Sequence, residues 1–167
     1  MAYAIAQFAA DCRAALLTDA GPAGREWARR YTARACADPG FVAAHLGPGE
    51  RSVRKLLYED PDLRFLILAH VQGALDTPPH DHGPTWAVYG QAGGITEMTD
   101  WQIVERPQAG RPGTAVKLRS YRLMPGMAQL YDVGVLHSAR TEGETRVIRI
   151  EGIDLTGIKR DRFEIAA

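Results

Sequence analysis

From about residue 50 onward, the chain consists of short strand-like segments separated by glycines and prolines. The segments are rich in β-branched and aromatic residues and recur at regular intervals; they cover residues 63–71, 85–91, 95–105, 115–123, 127–131, 135–139 and 145–152. Residues 106–114, which contain prolines and glycines, predict a hairpin excursion or a mobile loop between two of them. Many short strands with even spacing favour a mainly β fold with a closed or double-sheet architecture, such as a jelly roll.

Residues 1–49 differ from the rest of the chain because their apolar residues recur at helical spacing. The residues with this spacing are Ile5, Phe8, Cys12 and Leu16 in a first helix and Trp27, Tyr31 and Ala35 in a second. A short helical turn is predicted over 41–46. This segment is short and apolar on one face, so we expect its helices to pack outside a barrel formed by residues 50–167 and to share one domain with it.

Charge balance, apolar runs and cysteine positions indicate which partners and which cellular location to expect. Lys+Arg and Asp+Glu are balanced at 20 each, so no overall field attracts nucleic acid or an anionic membrane. No apolar run is long enough to span a bilayer. Asp11 and Arg13 interrupt the apolar N-terminus, which argues against a secretory signal. Cys12 and Cys36 fall in predicted helices and indicate buried thiols rather than disulfides, so we expect a cytoplasmic protein.

Three histidines form the candidate metal site. In a strand, alternate residues share a face, so His80 and His82 direct two imidazoles to one side while Asp81 points away. His137 follows a glycine-marked turn on a separate predicted strand, and pairing of distant strands would bring it to the first two. Neutral imidazoles suit iron, zinc, copper or nickel better than magnesium or calcium. The spacing therefore predicts a transition-metal site.

The surroundings of the first two histidines resemble the first motif of the cupins. That motif runs from a glycine to His-x-His, then to a glutamate and a second glycine. In this chain Ala87 stands at the glutamate position after His80 and His82, and Gly94 stands at the second glycine position. Gly73 is one residue out of register with the first glycine. The resemblance implies a double-stranded β-helix barrel.

The surroundings of the third histidine are similar to the second cupin motif. Gly126, Gly134 and His137 match that motif in spacing, while Asp132 replaces its proline and Thr141 its asparagine. Cupins are often dimers, and the resemblance leaves a monomer or a homodimer open.

Within the cupins, the sequence resembles in particular the cysteine dioxygenase and mercaptopropionate dioxygenase group. Residues 60–65, the Pro-x-His-Asp-His segment at 78–82 and the tail over 150–165 resemble that group. In those enzymes three histidines hold iron because the cupin glutamate is missing. The resemblance therefore implies Fe(II) here, with a small-molecule substrate and dioxygen as partners. The same imidazole set also serves nickel, manganese or zinc.

One departure from the group changes the expected substrate. Thiol dioxygenases carry a Ser-x-His-x-Tyr pattern on the strand after the third ligand, whereas this chain has Val147, Arg149 and Glu151 on the corresponding face. Arg149 is predicted to bind a substrate carboxylate, and Glu151 to orient the substrate or move a proton; a structural Arg–Glu pair is the alternative. Tyr89 shares the face of Ala87, where its hydroxyl would replace the missing tyrosine.

Three functions follow from this pattern. The first is a mononuclear non-haem iron dioxygenase acting on a small organic acid or thiol. The second is a metal-dependent lyase or isomerase in which Glu151 is the base. The third is a metal- or ligand-binding module without catalysis. His45 and His70 lie outside the motifs and are expected to be ordinary, partly exposed histidines.

Overall fold

A computed structural model describes residues 3–166, which form three helices followed by ten strands. The helices are α1 (Ile5–Thr18), α2 (Pro22–Ala37) and α3 (Pro39–Leu46). The strands are β1 (Lys55–Glu59), β2 (Leu66–Gln72), β3 (Leu75–Asp76), β4 (Ala87–Gly93), β5 (Thr96–Glu105), β6 (Gly113–Leu123), β7 (Ala128–Tyr131), β8 (His137–Thr141), β9 (Thr145–Glu151) and β10 (Phe163–Ile165). None of these helices is long and apolar enough to cross a membrane.

The strands form two five-stranded sheets whose inner faces pack together. The first sheet has the order β1-β2-β9-β4-β7 and the second β10-β6-β5-β8-β3. Tyr131 of the first sheet packs with Met98 and Leu123 of the second in one buried cluster. This two-sheet architecture, with three helices outside, confirms the predicted double-stranded β-helix barrel of the cupin type.

The helices cover the outer face of the first sheet. Phe8 and Phe41 of the helices share a hydrophobic core with Val88 and Ile148 of the sheet. At Gly90 the approach is so close that an added Cβ would lie 2.5 Å from a methyl group of Thr32 in α2. The free thiols of Cys12 and Cys36 are buried, as predicted.

The predicted central strands are confirmed with small shifts at their ends, while three short strands were not predicted. These are β1, β3 and β10, which lie at sheet edges, and β3 has only two residues. Edge strands are half exposed and lack the apolar runs that mark central strands. The predicted excursion over 106–114 is confirmed as the β5–β6 hairpin, which is closed by a bridge between Gln108 and Arg111.

The register of β9 determines which side chains face the barrel interior. Arg149 lies opposite Leu68 on one side and Tyr89 on the other, and Glu151 lies opposite Ala87. Directly paired residues in antiparallel strands have side chains on the same face. The prediction that residues 147, 149 and 151 share one face and the prediction that Tyr89 shares the face of Ala87 are therefore both confirmed.

Candidate metal centre

Backbone pairing brings the first and third predicted ligands together. His80 and His137 form an isolated antiparallel bridge, in which each backbone N–H donates to the other residue's carbonyl oxygen at 2.9 Å. The bridge joins the loop before β4 to the start of β8. Two histidines that are 57 residues apart in sequence thereby become direct neighbours, as the sequence predicted.

The segment that carries His80 and His82 is a loop rather than the strand that the spacing indicated. Only His80 makes a ladder bridge, and the chain then turns at Gly83, whose φ is +60°. The carboxylate of Asp81 accepts a hydrogen bond from the Gly83 backbone N–H at 2.9 Å. This turn, and not regular strand alternation, directs Asp81 away from the two imidazoles.

The three imidazoles converge on one point. One ring nitrogen from each of His80, His82 and His137 lies within 4.8 Å of the others. His82 and His137 are fully buried. Within residues 3–166, Nδ1 of His82 and Nε2 of His137 are buried and have no hydrogen-bond partner. Buried polar atoms normally have partners, so these atoms fit a site built to hold an ion.

Backbone carbonyls fix the tautomer of two of the rings. His80 Nδ1 lies 2.8 Å from the Pro78 carbonyl oxygen, and His137 Nδ1 lies 3.3 Å from that of Val135. Each Nδ1 therefore carries the proton and donates, which leaves the lone pair on Nε2. Such contacts orient metal-binding histidines in proteins generally.

The environment keeps the imidazoles neutral. Burial lowers the pKa of His80, His82 and His137 below the ordinary value for histidine. The other imidazoles lower the pKa of His82 and His137 further. A neutral imidazole offers the lone pair that a metal ion needs, so the donor set fits a transition metal.

A hydrogen-bonded tyrosine pair supports the third ligand. The Tyr131 ring stacks on the His137 imidazole, with ring centres 3.8 Å apart and an interplanar angle of 13°. The Tyr131 hydroxyl lies 2.6 Å from that of Tyr121, which donates to Asp100 at 3.1 Å. Asp100 is the cross-strand neighbour of His137. Sequence reasoning missed Tyr121 and Asp100, because their approach to the site depends on strand register.

The position that corresponds to the glutamate of the first cupin motif is filled by a methyl group. Ala87 is fully buried on the inner face, opposite Tyr131. Over the described part of the chain, no carboxylate joins the three-histidine group. The donor set therefore consists of three neutral ligands, which leaves the charge of a bound cation uncompensated.

Arg149, Glu151 and Tyr89, the predicted catalytic residues, lie on neighbouring strands beside the histidines. The Arg149 guanidinium lies over the Tyr89 ring at 4.8 Å, and the Tyr89 hydroxyl lies 3.1 Å from His82 Nε2. Arg149 Nε is 3.3 Å from a carboxylate oxygen of Glu151. The structure therefore brings Tyr89 and Arg149 to the metal site, while their roles in a reaction stay predictions.

Glu151 is held by contacts on both of its carboxylate oxygens. One oxygen pairs with Arg149; the other accepts hydrogen bonds from Arg54 at 3.3 Å and from the Leu155 backbone N–H at 3.2 Å. The side chain is only 4% exposed. These contacts favour the structural Arg–Glu pair over a free base. Arg54, which directly precedes β1, forms a second ion pair with Glu151.

An open cavity of about 480 Å³ lies against His80, one of the three histidines. His80, Tyr89 and Arg149 line its inner part, and Arg160 and Arg162 line it from the segment before β10. Its volume is in the range of small-molecule sites. Sequence reasoning did not identify the two arginines of that segment, because no local pattern links residues 160–162 to the histidine motifs.

The prediction that His70 is partly exposed is wrong. His70 is 6% exposed because β2 lies between β1 and β9, and its position opposite Val147 places it on the inner face. Burial, followed by the charge of nearby Arg149, lowers its pKa to about 4. His70 is therefore a neutral interior residue.

Comparison with known proteins gives similarity at the level of structure alone. No protein-family model matches the sequence, and no curated protein matches it. A cupin-2 domain protein from Shewanella frigidimarina is similar at 16% identity and a TM-score of 0.42, over 61% of this chain and 81% of that one. KdgF from a Halomonas species is similar at 19% identity and a TM-score of 0.42, over 59% and 76%.

A third structure, the DMSP lyase DddQ from Ruegeria pomeroyi, is similar at 17% identity and a TM-score of 0.44, over 67% of this chain and 51% of that one. The structural neighbours are thus cupin-domain proteins, some of them enzymes. No conclusion about activity rests on similarity at this level.

Proposed function

We propose that this protein is a mononuclear non-haem iron dioxygenase that acts on a small organic acid or thiol. The observation that carries the proposal is the convergence of three neutral imidazoles, without a carboxylate, beside a cavity that is lined by His80 and Arg149. Fe(II) held there would supply the redox chemistry by which dioxygen oxidises a bound substrate. The three-histidine set also agrees with the resemblance to thiol dioxygenases.

Arg149 is the residue that would bind an acidic substrate. Its Nε, although buried, has no aligned hydrogen-bond partner among residues 3–166, and the group is 17% exposed to the cavity side. The guanidinium lies over the Tyr89 ring, which helps to hold it beside the cavity, and its fork of N–H donors suits a planar carboxylate. The Tyr89 hydroxyl, next to His82, would hold or move a proton at the substrate.

The lyase alternative has less support from the site. It requires Glu151 as a base, whereas one oxygen of Glu151 accepts hydrogen bonds from Arg54 and the Leu155 backbone N–H, and the other is in an ion pair with Arg149. Contacts of this kind hold the carboxylate as part of a buried ion pair. The dioxygenase proposal does not need Glu151 to react.

Oxygen uptake by anaerobically purified protein that has been reconstituted with Fe(II) tests the proposal. The panel contains cysteine, mercaptopropionate, cysteamine and simple dicarbonyl acids. We expect uptake with at least one acid, and Arg149→Gln should raise KM for that acid about tenfold or more, since one charge-assisted contact is lost. Cysteamine, which lacks a carboxylate, is the matched control substrate, and any uptake with it should be unaffected. Stoichiometric iron without uptake on any member contradicts the proposal.

A further inference from the structure

A segment that follows β9 crosses the barrel and forms the outer wall of the cavity. We call residues 156–162 the strap. It starts after Leu155, whose backbone N–H is bound to Glu151 in the first sheet, and it ends at Phe163, which is buried in the second sheet. The strap is therefore anchored at both ends, on opposite sheets.

The strap is in contact with the histidine loop. Arg160 donates from Nη1 to the Asp81 carbonyl oxygen at 3.2 Å. The position of a Cβ on Gly83 would lie 3.6 Å from Ile158 and 3.7 Å from Arg160. The strap thus lies against the turn between His82 and β4, and Arg160 is held at the loop that carries two of the histidines.

The charges that face the cavity are mainly positive. Arg149, Arg160 and Arg162 line it, and Asp161 is the one carboxylate among its lining residues. In the described chain, neither Arg160 nor Arg162 has a carboxylate within the 4.0 Å of an ion pair. Glu151 forms ion pairs with both Arg149 and Arg54, so one carboxylate faces two guanidinium groups. The cavity therefore has positive charge that its own side chains do not neutralise.

Two of these charges come from separate walls. Arg149 projects from β9 of the first sheet, while Arg160 belongs to the strap and is bound to the loop of Asp81. A single compact anion, such as phosphate, has one centre of charge, on which its donors converge. Cations on two walls of one cavity instead fit a ligand with two separated anionic groups.

We propose that the cavity selects small dicarboxylates, with one carboxylate at Arg149 and the second at Arg160 of the strap. The proposal deepens the proposed function and rests on it for the first carboxylate. The strap arginine then acts as a specificity-determining residue, because a monocarboxylate of the same length leaves it without a partner. Arg162 adds to the field without a direct contact.

Calorimetric titration of the Fe(II)-reconstituted protein without oxygen tests this proposal. The probes are malonate, succinate and glutarate, each compared with its monocarboxylate counterpart propionate, butyrate or valerate. We expect at least one dicarboxylate to bind about tenfold more tightly than its counterpart. Arg160→Gln should abolish that difference and leave the affinity for the monocarboxylate unchanged, whereas Arg149→Gln should weaken both.

Arg111→Gln is the matched control, since Arg111 lies at the tip of the β5–β6 hairpin and lines a different cavity. It should retain the preference. Equal affinities in all three pairs, a preference that survives Arg160→Gln, or equally tight binding of inorganic phosphate would overturn the dicarboxylate site. The binding experiment contains no oxygen. A protein that prefers dicarboxylates in it but shows no oxygen uptake in the activity assay would therefore contradict the dioxygenase proposal and not the dicarboxylate site.

Discussion

Two of the three histidines are oriented by backbone carbonyls, and one of these two is also covered by an aromatic ring. His80 and His137 donate to backbone carbonyls, and His137 is also covered by the Tyr131 ring. The ring is itself fixed, since Tyr121 uses its hydroxyl hydrogen for Asp100 and so must accept that of Tyr131. Burial raises the pKa of Tyr121 to about 12, so the pair stays protonated at neutral pH. A rigid aromatic wall therefore sets the orientation of the third ligand.

Replacing the stacked ring should weaken metal binding. Tyr131→Leu removes the surface against which His137 packs, and we expect its Kd for Co(II) to rise about tenfold or more, in line with other supporting contacts of metal ligands. Tyr131→Phe keeps the ring and loses only the hydroxyl, so it should show a smaller change. Co(II) titration followed by visible absorption measures both. Equal affinities in the leucine variant and the wild type would contradict a supporting role.

A buried carboxylate far from the histidines should make stability depend on acid pH. Asp60 is fully buried; burial opposes its ionisation, but hydrogen bonds from Arg13 and from the Leu63 and Asp62 backbones outweigh this and lower its pKa. Because the pKa is lower in the folded state, the ionised group stabilises the fold above the unfolded pKa of about 3.9, and this is lost as pH falls through the folded value.

Asp60→Asn should therefore lower the free energy of unfolding by about 2 kcal/mol at pH 7, and the difference from wild type should shrink below about pH 4. Urea denaturation across this pH range measures the effect. Asp62→Asn is the control, because Asp62 is 69% exposed although it also pairs with Arg13; it should change the free energy by less than about 0.5 kcal/mol. Equal losses in the two variants would contradict the account.

Strands and helices show what local patterns can predict. The central strands were predictable because apolar runs and alternation mark buried segments, and the shared face of Arg149 and Glu151 followed from the period of a strand. The edge strands β1 and β3 lack that signal. The burial of His70 could not be predicted either, because it depends on which strands flank β2.

The contact between α2 and β4 should be intolerant of added volume. Gly90→Ala would place its methyl group 2.5 Å from a methyl carbon of Thr32 and 2.7 Å from the sulfur of Cys36. Thermal or urea unfolding should show a loss of about 1–3 kcal/mol, the usual effect of overpacking. Gly143→Ala is the matched control, since nothing lies within 4 Å of its added Cβ. A neutral Gly90→Ala variant would show that α2 does not pack tightly on the sheet.

At the scale of the whole molecule, the metal ligands could be predicted from the sequence, whereas the cavity beside them could not. The ligand triad was predictable because two histidines are close in sequence and the third lies in a recognisable motif. The cavity was not, because its walls combine β9 with the strap, and only the fold brings Arg149 and Arg160 to the same space. Metal binding by the three histidines can therefore be tested even though the substrate that the cavity would bind is not known.

The most direct test is the metal content of the protein after anaerobic reconstitution with Fe(II) and removal of free ion, measured by elemental analysis. Three converging neutral imidazoles predict about one iron per chain in the wild type. His82→Ala and His137→Ala should lose nearly all of it, while His45→Ala, outside the site, should retain it. Absence of metal from the folded wild type, or full retention in both ligand variants, would contradict the account.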